Sequence, residues 1–133
     1  MEKRILVVDD SSVMQNLVKK IFGQLDYAVV SARNGKEALE RLKKQDFSVI
    51  LMDINMPVMD GMECTKQIRK LKNKKGQLPI IAITGNSKNY AWEDFKKAGL
   101  NKYMQKPLNF DELVDIVNSY VKDDSKVYPK LSQ

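Results

Sequence analysis

Short apolar runs alternate with helix-periodic segments along the whole chain, and this alternation limits the possible folds most. Ile5-Leu6-Val7-Val8 stops at Asp9-Asp10, Val49-Ile50-Leu51-Met52 at Asp53, and Ile80-Ile81-Ala82-Ile83 at Thr84-Gly85. Ala28-Val29-Val30 and Lys102-Tyr103-Met104, the latter just before Lys106-Pro107, read as two further short strands. Between them lie helical patterns. Val13, Met14, Leu17, Val18, Ile21, Phe22 and Leu25 recur at helical spacing. Ala38, Leu39 and Leu42 follow a cap signal at Asn34 with a reciprocal Glu37. After the turn Pro57-Val-Met-Asp-Gly61 come Met62, Thr65, Ile68 and Leu71. Ala91, Phe95 and Ala98 form a fourth stripe stopped by Gly99, and Asn109 and Glu112 cap a last one holding Leu113, Val114, Val117 and Val121. Strands this uniformly apolar need cover on both faces. The expected architecture is α/β: five strands in a doubly wound parallel sheet, joined by right-handed crossovers. One domain over residues 1–122, with a polar tail at 123–133, accounts for all 133 residues.

The chain contains no histidine. Histidine triads, histidine metal sites and histidine acid–base roles are therefore excluded, and any chemistry must run on carboxylates, lysine, hydroxyls or one thiol. The lone Cys64 cannot close an internal disulfide, which suits a reducing, cytoplasmic setting, and its place near the apolar side of a helix suits a small buried hydrophobe. No apolar run approaches the ~20 residues of a membrane helix, and the start Met1-Glu2-Lys3-Arg4 turns acidic too soon for a signal peptide. No membrane association is expected. The net charge of +6 lies wholly in the second part of the chain, and six basic residues fall between Lys66 and Lys75. Such a stripe either attracts an acidic partner or is a solvated helix face. No groove-reading motif accompanies it, so no nucleic acid is expected.

In an open parallel sheet, ligands sit beyond the carboxyl ends of the strands. Those ends bear Asp9, Asp10, Asp53, Thr84 and Lys106. Each alone reads as a loop residue or a cap; together they place three carboxylates, a hydroxyl and an ammonium on one rim. Clustered carboxylates repel and call for a cation, and an all-oxygen, solvent-open set suits Mg²⁺, with Mn²⁺ also possible. A carboxylate beside such an ion can attack phosphorus to give an aspartyl-phosphate, while Lys106 and Thr84 hold phosphoryl oxygens.

The motifs Ile5-Leu-Val-Val-Asp-Asp-Ser11, Leu51-Met-Asp-Ile-Asn-Met-Pro57 with Met59-Asp-Gly61, Ile83-Thr-Gly85 and Lys106-Pro-Leu108 occur in order. With them the chain resembles a response-regulator receiver domain of two-component signalling over residues 3–122. The resemblance implies a flavodoxin-like (βα)5 fold with strand order 2-1-3-4-5. It makes Asp53 the phosphoacceptor. Asp10, Asp53 and the backbone carbonyl of Asn55 become Mg²⁺ ligands, with Asp9 assisting through water. Thr84 and Lys106 bind the phosphoryl group, Lys106 preceding a cis Pro107. Gly85 leaves room for a phosphodonor, and Asn55 and Asn86 tune the lifetime of the phosphoryl group. Tyr103 becomes an aromatic switch that follows Thr84 and remodels the face of the fourth helix, fifth strand and fifth helix. Without the resemblance, Tyr103 reads as packing with a wet hydroxyl. Trp92, beside the fourth stripe, reads either as a partner anchor or as edge packing.

The implied function is a phosphorylation-controlled signalling module rather than an enzyme in the strict sense. Its implied partners are a sensor histidine kinase or histidine phosphotransfer protein, which must supply the donor histidine this chain lacks, and a downstream effector. The unphosphorylated chain is expected to be a monomer. An aspartyl-nucleophile phosphatase is the competing chemistry, but Asn55 occupies the position where such enzymes use a second acid. The opening Asp-Asp-Ser-Ser-Val-Met resembles chemotaxis regulators, and residues 98–108 resemble receivers of hybrid kinases and phosphorelays. The start at Met1 and the natural-looking tail favour a stand-alone receiver over one excised from a hybrid kinase.

Overall fold

A computed structural model of the chain describes residues 3–56, 58–85 and 91–121. Asn86, Pro57 and the polar tail therefore lie outside the described residues. The elements run β1 (Lys3–Val8), α1 (Ser12–Gly23), β2 (Tyr27–Ala32), α2 (Gly35–Lys44), β3 (Val49–Asp53), α3 (Gly61–Arg69), a 3-10 turn (Asn73–Gln77), β4 (Ile80–Thr84), α4 (Trp92–Ala98), β5 (Lys102–Gln105) and α5 (Phe110–Tyr120). The sheet is parallel, in the order β2-β1-β3-β4-β5.

The period-2 geometry of the strands divides the core into two. Leu6, Val8, Ile50, Met52, Ile80 and Ala82 face α2, α3 and α4, where Leu42, Ile68 and Phe95 meet them. Ile5, Val7, Val49, Leu51, Ile81 and Ile83 face α1 and α5, against Val18, Phe22, Leu113 and Val117. β3 and β4 are buried at every position because helices cover both faces. Each fully buried aliphatic side chain contributes about 1.5–3 kcal/mol of transfer free energy.

Side chains start four of the helices. Ser11, Asn34, Asp60 and Asn109 accept from the amides of Met14, Glu37, Glu63 and Glu112 at 3.3, 2.9, 2.9 and 3.0 Å. Glu37 reaches back to the amide of Arg33, one residue before the cap. Gly99, at φ 107°, ends α4. Only a residue without a Cβ fits there, because a methyl group would lie 2.7 Å from Cγ of Arg69.

Three details depart from the sequence reading. The apolar stripe read for α1 is only partly buried: Val13 and Leu17 are exposed, Leu25 lies exposed past the end of the helix, and Val18 and Phe22 carry the packing. Leu71 lies past the end of α3, before a 3-10 turn that no periodicity announced. The basic stripe is partly consumed by backbone. Arg69 donates to the carbonyls of Gly76, Leu78 and Gly99 and to the side chain of Asn101, at 2.6–3.1 Å, and Lys75 donates to the carbonyl of Leu42. Exposed Lys66, Lys70, Lys72 and Lys74 remain.

Candidate functional site

β1, β3 and β4 are adjacent in the sheet, so their carboxyl ends converge. Asp9 and Asp53 are buried, at 1% and 2% exposure, while Asp10 is open to solvent. One carboxylate oxygen from each of the three lies within 4.8 Å of the others. Local turns aim them. The Asp9 carboxylate accepts from the Ser11 amide at 2.8 Å, and Asp53 from the Asn55 amide at 3.1 Å. Asp9 is anchored from behind: its amide donates to Ala32, and the Gln15 side-chain amide donates to the carbonyls of both Asp9 and Ala32.

Lys106 follows β5 and enters from the far side. Its amide donates to the Thr84 carbonyl at 2.9 Å. Its ammonium sits 3.9 Å from carboxylate oxygens of both Asp9 and Asp53. The Lys106–Pro107 bond is cis. Thr84 is fully buried at the end of β4, the strand next to β3. Gly85 is open: a methyl group there would touch only the Lys106 stem, at 3.8 Å.

The cluster is electrostatically costly. Burial, then the charge of Asp9, pushes Asp53 from 3.8 up to about 6, with Lys106 and the Asn55 amide pulling it back. Burial likewise holds Asp9 above its ordinary value, against the Ser11 amide and Lys106. One ammonium at 3.9 Å does not offset three carboxylates. All-oxygen donors, two of them buried and one open to water, fit a hard divalent cation such as Mg²⁺.

A family profile, response regulator receiver domain, matches residues 5–118. The chain belongs to the response-regulator receiver family. The receiver is 34% identical over 120 residues to the CAI-1 autoinducer sensor kinase/phosphatase CqsS of Vibrio cholerae, covering 90% of this chain and 18% of that protein. It is 32% identical over 124 residues to the transcriptional regulatory protein CrdR of Helicobacter pylori, covering 93% of this chain and 57% of CrdR. It thus spans less than a fifth of the sensor kinase and under two thirds of the regulator. Among solved structures it resembles chemotaxis protein CheY4 of Vibrio cholerae, with a TM-score of 0.82, 30% identity, and 90% and 99% of the two chains covered. It also resembles the receiver domain of sensor histidine kinase PA1611 of Pseudomonas aeruginosa, with a TM-score of 0.81, 33% identity, and 91% and 98% covered. That structure has a magnesium ion coordinated in its active-site cleft.

The receiver's remaining candidates lie outside the acidic cluster. Tyr103 is on β5, paired in register with Ala82, two residues before Thr84. Registered partners in a parallel sheet point to the same face, so Tyr103 and Thr84 share the α3–α4 face. Tyr103 is 40% exposed, and its ring packs against those of Trp92 and Phe95, at centroid distances of 5.6 and 5.5 Å. Cys64 is fully buried, and burial pushes its thiol up to about 12.

Two supports of the site carried no assigned role in the sequence, although Gly61 stands in the motif Met59-Asp-Gly61. Gly61 is required by packing: a methyl group there would lie 2.4 Å from the Asp53 carbonyl oxygen and 2.8 Å from Cα of Ile54. Gln15 shares the α1 face of Val18 and Phe22, and a polar residue inside an apolar stripe was the available signal. Val58, at the tip of the β3–α3 loop, is 82% exposed with φ 74°. A β-branched residue rarely adopts that region, and nothing in the motif marks it.

Proposed function

We propose that this receiver accepts a phosphoryl group on Asp53 and converts that event into a change in partner binding. The observation that carries the reading is the convergence on Asp53 of two more carboxylates, a lysine and a buried threonine at one rim. An Asp53 carboxylate oxygen attacks phosphorus of a phosphohistidine on a partner protein. The new O–P bond forms as the P–N bond breaks, and the imidazole leaves and takes up a proton. Lys106 neutralises charge on the phosphoryl oxygens. Thr84 supplies a hydroxyl to the same group, and open Gly85 admits the donor. Asp9, Asp10, Asp53 and the Asn55 carbonyl hold Mg²⁺, which when bound supplies charge stabilisation for the transferring group.

The receiver module spans residues 1–122, works in the cytoplasm and is monomeric before phosphorylation. Its donors are a sensor histidine kinase or a histidine phosphotransfer protein, and its output is an effector protein. Thr84 and Tyr103 form the switch, which acts through α4, β5 and α5. A second setting, a receiver within a hybrid kinase, is favoured by similarity to sensor kinases of which this chain matches 18% or less. Transfer of radiolabel from a phosphorylated histidine phosphotransfer domain tests the reading. Label should move to the native chain only with Mg²⁺ and should not move to Asp53→Asn. Transfer to that variant at the native rate would remove Asp53 from the role.

A further inference from the structure

Tyr103 makes a ring contact with Trp92, a residue outside its own strand. β5 is an edge strand, and Tyr103 is 40% exposed on it. Phe95, 1% exposed in the core, packs against the ring with centroids 5.5 Å apart. Beside it is Trp92, in the first turn of α4, with centroids 5.6 Å apart and planes 36° apart. Trp92 itself leans on Phe95 at 6.4 Å. Trp92 is 36% exposed.

We infer that Trp92 is a positioning residue that latches Tyr103 outward and so sets how readily the receiver switches. The inference rests on the reading of Tyr103 as the mobile element. Phe95 belongs to the core and serves either position. Trp92 lies at the outer margin, so a Tyr103 ring that turns in toward Thr84 leaves it. The outward state is then favoured by the Trp92–Tyr103 contact, and every ligand that needs the inward state must overcome that preference. An aromatic pair contributes about 0.5–1.5 kcal/mol beyond its area, which corresponds to roughly 2- to 12-fold in the switching equilibrium.

The test uses beryllofluoride with Mg²⁺ as a phosphoryl mimic directed at the acidic cluster of Asp9, Asp10 and Asp53. Trp92→Ala should bind the mimic roughly 2- to 12-fold more tightly than the native chain, and Trp92→Phe should fall between them. Because Trp92 is the sole tryptophan, its emission reads the contact directly. Emission should shift when the mimic binds to the native chain. In Tyr103→Ala it should already sit at the shifted position and move little further. Mimic binding with unchanged or weaker affinity in Trp92→Ala, or with no emission change in the native chain, overturns the latch and leaves the phosphoacceptor reading standing. Absence of Mg²⁺-dependent mimic binding to the native chain overturns the reading of the site and the latch with it.

Discussion

Replacing Asp53 by Asn should stabilise the metal-free protein. Asp53 is 2% exposed, and in the fold its carboxyl titrates at about 6 instead of 3.8. At about 1.4 kcal/mol per pKa step, holding it ionised in the fold costs up to ~3 kcal/mol. Asparagine keeps an oxygen for the Asn55 amide and removes the charge, so a gain of about 1–3 kcal/mol is expected near neutral pH. In a chain of this size that raises Tm by roughly 4 °C per kcal/mol. The pH dependence identifies the cause. Between 3.8 and about 6, the native state still holds a proton that the unfolded chain has released. Native stability therefore falls as pH rises through that window, and the variant lacks this loss. The gap between the two proteins should be absent below pH 3.8 and complete above about 6. Urea unfolding with a chelator, followed by far-UV circular dichroism at several pH values, measures it. Mg²⁺ should stabilise the native chain far more than the variant, narrowing the gap. A variant no more stable than the native chain near neutral pH, or a gain that persists in full at low pH, would refute an electrostatic origin.

Three further outcomes follow from the packing. Gly61→Ala should destabilise by about 1–3 kcal/mol and weaken Mg²⁺ binding, because its methyl group displaces the backbone that carries Asp53; thermal unfolding and a Mg²⁺ titration read both. Thr65→Val should stabilise by about 1 kcal/mol in urea unfolding, since the fully buried Thr65 hydroxyl has no hydrogen-bond partner among the described residues. Cys64 should resist a thiol reagent at mildly alkaline pH until the chain unfolds, because burial pushes its thiol up to about 12; labelling kinetics with and without urea check this.

Strand identity was legible because the core strands are covered on both faces and so read as continuous apolar runs. Their carboxyl ends followed directly, and so did Asp9, Asp10, Asp53 and Thr84, whereas Lys106 follows the largely exposed edge strand β5 and was legible from the Lys106-Pro107 stop. Helix starts were legible where a side chain performs the capping, as at Asn34 and Asn109. What failed depends on contacts between elements distant in sequence. Val13 and Leu17 fall at the edge of the apolar arc of α1, turned away from Val18 around the helix, and are left exposed. Arg69 counted as a surface cation until the fold brought the carbonyls of Gly76, Leu78 and Gly99 around it. The need for glycine at position 61 comes from the backbone of β3 passing against α3, which no local pattern encodes.

The central claim is that Asp53 is the acceptor. Intact-mass spectrometry with peptide mapping, after exposure to a small phosphodonor such as phosphoramidate and Mg²⁺, tests it most directly. One added phosphoryl group is predicted, mapped to the peptide containing Asp53, absent from Asp53→Asn and lost when Mg²⁺ is chelated. A native chain that gains no phosphoryl group, or an Asp53→Asn chain that gains it equally, would contradict the account.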